Sequence, residues 1–185
     1  MVNFKPTVFA EGELVYTDGG ILAEYAWLLV VLPFVAALVI TFTGKYLPLK
    51  GAEVALTTIG IIFLYSAALM YLHITSGVVN EFFINVGSIG VFDIEFGWVV
   101  DGLSIMMYFV VGTVALLVFI YATNYMEGEI RYTFFFTSLT LFAGSMLVLV
   151  SSPTLIQILI GWELVGVCSY LLIGHYWDCL LYTSD

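Results

Sequence analysis

The sequence predicts an all-α polytopic membrane protein of about five transmembrane helices, with an external β-hairpin between helices 2 and 3. Three observations carry that prediction. Apolar runs of about 20 residues recur along the chain, the length an α-helix needs to cross the hydrocarbon core of a bilayer. Hydrophobic residues make up 62% of the 185 residues and charged residues 10%, with a mean hydropathy of +1.10. The one long polar interruption, residues 76–100, instead alternates apolar and polar side chains, the period of a strand.

The charge pattern excludes some functions. A net charge of −10 argues against nucleic acid as a partner, since phosphate binding needs clustered Lys and Arg. The partner the composition does imply is the lipid bilayer. Cys168 lies inside an apolar run and Cys179 near the C-terminus, a spacing that suits neither a disulfide framework nor a metal site. Glu11, Glu13, Asp18 and Glu24 precede the first apolar run, the opposite of the basic flank of a signal peptide.

Residues 1–24 are polar and glycine-containing and read as an external N-terminal segment. The first span is expected over residues 25–43. Pro33 lies inside it and removes one backbone hydrogen bond, a defect that membrane bundles absorb against neighbouring helices. GKYLPLKG (44–51) follows as a loop with Lys45 and Lys50, half of the chain's four basic residues. The second span is expected over 53–75. In the interruption that follows, VFDIEF (91–96) places Phe92, Ile94 and Phe96 on one face and Asp93 and Glu95 on the other. With FFINV (82–86) and the intervening Gly87, Ser88 and Gly90 it predicts a β-hairpin that caps the bundle. The third span, 101–121, opens at Asp101, a good N-cap with Ser104 three residues on. NYMEGEIRY (124–132) connects it to the fourth, 133–150. Ser152 then fits the N-cap and Pro153 the first turn of the fifth span, 153–173. Lys45 and Lys50 follow the first span and Arg131 the third, so all three fall on one side, which the excess of basic residues makes cytoplasmic. The N-terminus and the hairpin are then outside, and the fifth span runs from outside to inside.

That last span carries the candidate for chemistry. PTLIQILIGWELVGVCSYLLI would extend about 31 Å as a helix, and Glu163 sits at its middle. A carboxyl group near the bilayer centre is costly enough to mark a site with a task by default. Gly166 lies one turn from Glu163 and Ser169 further round the same flank, small residues that would let another helix approach, so Glu163 is expected to face the bundle, and Gly161 on the opposite side suggests that the helix packs on more than one face. Burial disfavours the carboxylate whereas a nearby lysine favours it, the balance a switchable proton site requires. The alternative is a carboxylic acid held neutral by a local hydrogen bond. Gln157 and Ser169 either extend a polar path or make helix-packing hydrogen bonds. His175, roughly three turns beyond Glu163, is a further candidate for that path because imidazole titrates near neutral pH, while His73 reads as a structural residue at a helix end. The chain has no Gly-rich phosphate loop, no cysteine cluster and no paired histidines at haem-ligand spacing, so no redox cofactor is expected in it.

Two runs, FGWVVDGLSIMMYFVVGTVALLVFIYATNYM (96–126) and LIGWELVGVCSYLLIG (159–174), resemble the N-terminal part of the antiporter-like chain L (chain 5) of respiratory complex I, the NADH–quinone oxidoreductase. They are also similar to the large subunit of multi-subunit Na⁺/H⁺ antiporters. The resemblance runs from about Pro33 to Trp177. It implies that Glu163 is the family's buried glutamate, which pairs with a lysine on a later helix and takes part in proton translocation. It implies other membrane subunits of complex I as partners, with NADH, FMN, iron–sulfur clusters and quinone in partner subunits, and a prokaryotic plasma membrane as the location. The alternative it leaves open is the antiporter, with no redox partners. DCLLYTSD (178–185) does not resemble the family's continuation and reads as an artefactual tail.

Overall fold

With no water in the hydrocarbon to hydrogen-bond a bare peptide group, each long apolar run must close its backbone bonds within itself, and a helix does so. The computed structural model describes residues 20–76, 80–89, 92–129 and 131–176. A short helix α1 (Gly20–Glu24) leads into α2 (Trp27–Thr43), followed by α3 (Ala52–Ser76), strands β1 (Asn80–Ile89) and β2 (Phe92–Val100), then α4 (Gly102–Tyr125), α5 (Tyr132–Ser151) and α6 (Leu155–Ile173). Among the described residues five helices, α2 to α6, are long and apolar enough to cross a membrane. Of the expected N-terminal segment 1–24, residues 1–19 lie outside the described residues, as do Trp177 and the tail 178–185.

The hairpin forms where the alternation predicts it. β1 and β2 pair antiparallel, with Asn80 opposite Val100 and Ile89 opposite Phe92. Asn85 faces Glu95 and Gly87 faces Ile94, which leaves Val86 as the extra residue of a bulge. Val100 is buried and Asp101 follows it at once. The Asp101 carboxylate accepts the Ser104 N–H at 2.7 Å, so the predicted N-cap starts α4.

α5 is the centre of the packing. It contacts α2, α6 and α4, while α3 lies against α4 and α2. Two approaches are set by glycine. A Cβ at Gly144 would meet the Pro33 ring at 3.2 Å, and one at Gly112 would meet the Phe63 backbone at 3.3 Å. The kink-prone stretch of α2 is thus seated against α5. Aromatic rings fill the α4–α5 seam, where Phe119 meets Phe136 edge-on. Buried hydroxyls turn back onto their own helices: Thr140 donates to the Phe136 carbonyl at 2.7 Å and Ser145 to that of Leu141 at 2.8 Å, which satisfies them without a partner helix. The outward faces carry exposed apolar side chains such as Leu38, Leu64 and Leu117, the arrangement lipid requires.

Candidate functional site

α6 begins two residues later than its sequence predicts. The Ser152 hydroxyl bonds back to the Val148 carbonyl at the end of α5, so it is not the cap. Thr154 is the N-cap: its side-chain oxygen accepts the Gln157 N–H at 3.4 Å. Pro153 lies in the link, not in the first turn.

Only three residues of α6 are buried, Gln157, Gly161 and Cys168, and they form one stripe along the helix. Each meets a different part of the neighbouring structure. The Gln157 side-chain amide clasps the main chain of β2: its Oε1 accepts the Gly97 N–H at 3.0 Å and its Nε2 donates to the Gly97 carbonyl at 2.8 Å. Gly161 lies against the backbone of α5, where a Cβ would stand 2.9 Å from the Leu149 Cα. The Cys168 Sγ sits 3.8 Å from the Ser145 Oγ.

Two residues past Gly161, about 200° round the helix, Glu163 stands exposed on the opposite face. Its surroundings on that face are Leu159, Trp162, Gly166, Val167 and Tyr170, all exposed, and a Cβ at Gly166 would meet nothing within 4 Å. The close approach expected beside Gly166 therefore occurs at Gly161 instead, and among the described residues Glu163 faces away from the bundle. The physical reason is the clasp and the α5 backbone contact, which fix the rotation of α6 from the other side.

The other candidates are not gathered around Glu163. Gln157 lies about 9 Å back along the helix, and both ends of its amide are taken by Gly97. Ser169 is half-buried beside Cys168. His175 lies about 18 Å onward along the axis, in a single 3₁₀ turn after α6. It is buried, with the Phe135 ring edge-on to it at 5.5 Å. Burial lowers its pKa from the ordinary 6.5, Glu129 opposing that and Arg131 adding to it. His73 packs at the start of α4, where a Cβ on Gly102 would come within 2.8 Å of its Nε2. Lys45 and Lys50 are exposed in the α2–α3 connection, so no described lysine lies within one of the helices α2 to α6. Among the described residues no group of three His, Cys, Asp or Glu is placed to hold a metal ion.

Sequence reading did not single out the Gly97 main chain or the buried Tyr108, whose hydroxyl donates to the Val99 carbonyl at 3.2 Å. One signal for the first was present: Thr154 and Gln157 have the T-x-x-Q spacing of a capping box. The structure makes half of that box and sends the glutamine to β2.

A bundle of five apolar helices with one carboxyl group midway along an uncovered helix face defines a polytopic membrane protein. The comparisons narrow the class. Residues 84–136 match the pattern for the N-terminus of NADH-ubiquinone oxidoreductase (complex I) chain 5. The chain is 41% identical over 165 residues to the NAD(P)H-quinone oxidoreductase chain 5 of a Picosynechococcus strain, covering 85% of this chain and 25% of that one. It is 41% identical to the chain 5 of a Synechocystis strain, over 85% of this chain and 24% of the relative. Against the chloroplast subunit 5 of Nuphar advena it is 35% identical, over 83% and 22%. The chain matches the N-terminal part of complex I chain 5, and it spans about a quarter of the length of these curated relatives. In fold it is similar to a chain of a membrane-bound sulfane sulfur reductase, an archaeal respiratory membrane complex, with a TM-score of 0.62 at 12% identity, over 77% of this chain and 28% of that one.

Proposed function

We propose that this chain forms the N-terminal part of a proton-translocating membrane subunit of a quinone-reducing respiratory complex, with Glu163 as half of a proton site. The observation that carries the proposal is the placement of Glu163. It lies mid-helix on the one face of α6 that the other four spans leave uncovered, next to a glycine with open space beside it. A lone carboxyl group facing hydrocarbon is costly, so that face calls for a neighbour bearing a counter-charge. The family resemblance supplies one: a lysine on a later helix of the full subunit. Glu163 holds its proton when the lysine is neutral or distant and releases it when the lysine is charged and close, because an opposite charge favours the carboxylate.

The rest of the proposal rests on the family resemblance and on the placement of the basic residues. Quinone reduction and its redox groups, NADH, FMN and iron–sulfur clusters, belong to partner subunits, and this chain contributes the membrane end of the coupling. His175 and Ser169 lie on the way from Glu163 to the cytoplasmic end, in a prokaryotic plasma membrane with the N-terminus outside.

The test is Glu163→Gln in the full-length subunit assembled in its complex, with proton uptake by inverted vesicles measured against quinone reduction. Pumping falls sharply, by roughly 100-fold or more, as loss of a proton-transferring side chain does. Unchanged pumping per quinone reduced overturns the proposal, and pumping that requires a sodium gradient and no electron donor assigns the chain to the antiporters instead.

A further inference from the structure

The amide of Gln157 does more than fill a polar gap. In an antiparallel pair the N–H and C=O of a given residue point to the same side of the strand. Gly97 gives both to Gln157, so these groups face away from β1, and the side chain behaves as a one-residue third strand on the free edge of β2. The clasp is buried, Gln157 being 7% exposed. It sits in the first turn of α6, where Thr154 already holds the Gln157 N–H. Side chain and main chain of one residue are therefore both tied down. The next fixed point is Gly161 on the Leu149 backbone. Two fixed points four residues apart, on the same side of a helix, set both its rotation and its tilt, and Glu163 follows two residues later.

We infer that Gln157 is a positioning residue for Glu163: by clasping Gly97 of the hairpin it fixes the rotation of α6 and so the direction in which the carboxyl group points. The inference rests on the proton-site reading of Glu163. It adds that the hairpin is the anchor against which that site is aimed, so a load on β2 reaches α6 through one amide. Gln157 transfers no proton, since both ends of its amide are engaged by the main chain.

The test uses the full-length subunit in its complex and three variants. Glu163→Gln provides the reference for the site: it removes the protonated-carboxyl band of Glu163 from infrared difference spectra and lowers pumping. Gln157→Leu, which keeps the bulk and removes both hydrogen bonds, shifts that carboxyl band and lowers protons moved per quinone reduced, by less than Glu163→Gln does, because a displaced reacting group reacts more slowly. Gln157→Glu keeps an oxygen to accept the Gly97 N–H but donates to the Gly97 carbonyl only when protonated, so its pumping rises toward that of the unaltered protein as the medium is acidified. An unmoved band and full pumping in Gln157→Leu overturn the inference while leaving the Glu163 site intact. Failure of both Gln157 variants to assemble overturns it too, because the clasp would then hold the fold and not aim the carboxyl group. A Glu163→Gln variant that pumps normally removes the site itself, a separate result.

Discussion

At the residue level, two glycines five apart on α6 do opposite things. A methyl group at Gly161 would stand 2.9 Å from the Leu149 Cα and 3.0 Å from its N, and backbone cannot swing aside as a side-chain tip can. At Gly166 a methyl group would meet nothing within 4 Å. Gly161→Ala should therefore destabilise the 185-residue chain in detergent by about 1–3 kcal/mol, as overpacking does. Gly166→Ala should be neutral or stabilise it by up to about 1 kcal/mol through helix propensity. Thermal unfolding of the two variants checks both, and equal melting temperatures would contradict the packing described here. In the full-length subunit the comparison becomes a probe of the Glu163 face, since Gly166→Ala turns unfavourable there if another helix lies against it. The sequence marked both glycines as small residues that admit a neighbour. It did not say which one has the neighbour, because that depends on where Leu149 of α5 falls, and no local pattern encodes that.

For the elements, hydropathy and alternation were enough to find five spans and a hairpin, because lipid forces the backbone into closed hydrogen bonding wherever an apolar run is long enough. Local chemistry located the start of α4 as well, since Asp101 needs only its own Ser104 to act as a cap. It misplaced the start of α6, where two hydroxyls compete and the end of α5 claims Ser152 through the Val148 carbonyl. Gln157 was legible as a polar residue in an apolar run, but its partner is 60 residues away. The C-terminal end of α6 yields a prediction of its own. Burial holds His175 below 6.5, against Glu129 and with Arg131, so the packed turn prefers the neutral ring. Above about 6.5 folded and unfolded chains bind the same protons at this site and pH has no effect. As pH falls through 6.5 the unfolded form takes up its proton first, and the turn loses stability until the folded value is passed. Hydrogen exchange over residues 170–176, corrected for intrinsic rates, should therefore quicken as pH falls below about 6.5. His175→Phe should abolish that dependence, and identical profiles for the two proteins would show that His175 is not its source.

Across the whole molecule, three separate segments meet at one end of the bundle. The Thr133 hydroxyl donates to the Lys50 carbonyl at 3.0 Å, which joins the α2–α3 connection to the start of α5. His175 lies within electrostatic reach of Glu129 and Arg131, which brings the end of α6 to the α4–α5 connection. Lys45, Lys50 and Arg131, all the basic residues after Lys5, thus fall at this end, and the Gln157–Gly97 clasp with the hairpin falls at the other. Basic residues in short connections set orientation because they resist transfer across the membrane. The basic end should therefore be cytoplasmic and the hairpin external, with α6 carrying Glu163 from one side to the other. Single cysteines at Pro48 and Ser88, in a background with Cys168 and Cys179 replaced by serine, would report this through a membrane-impermeant maleimide. Position 48 should label only in inverted vesicles and position 88 only in right-side-out ones. The reverse pattern would invert the protein, and with it the direction in which Glu163 passes a proton.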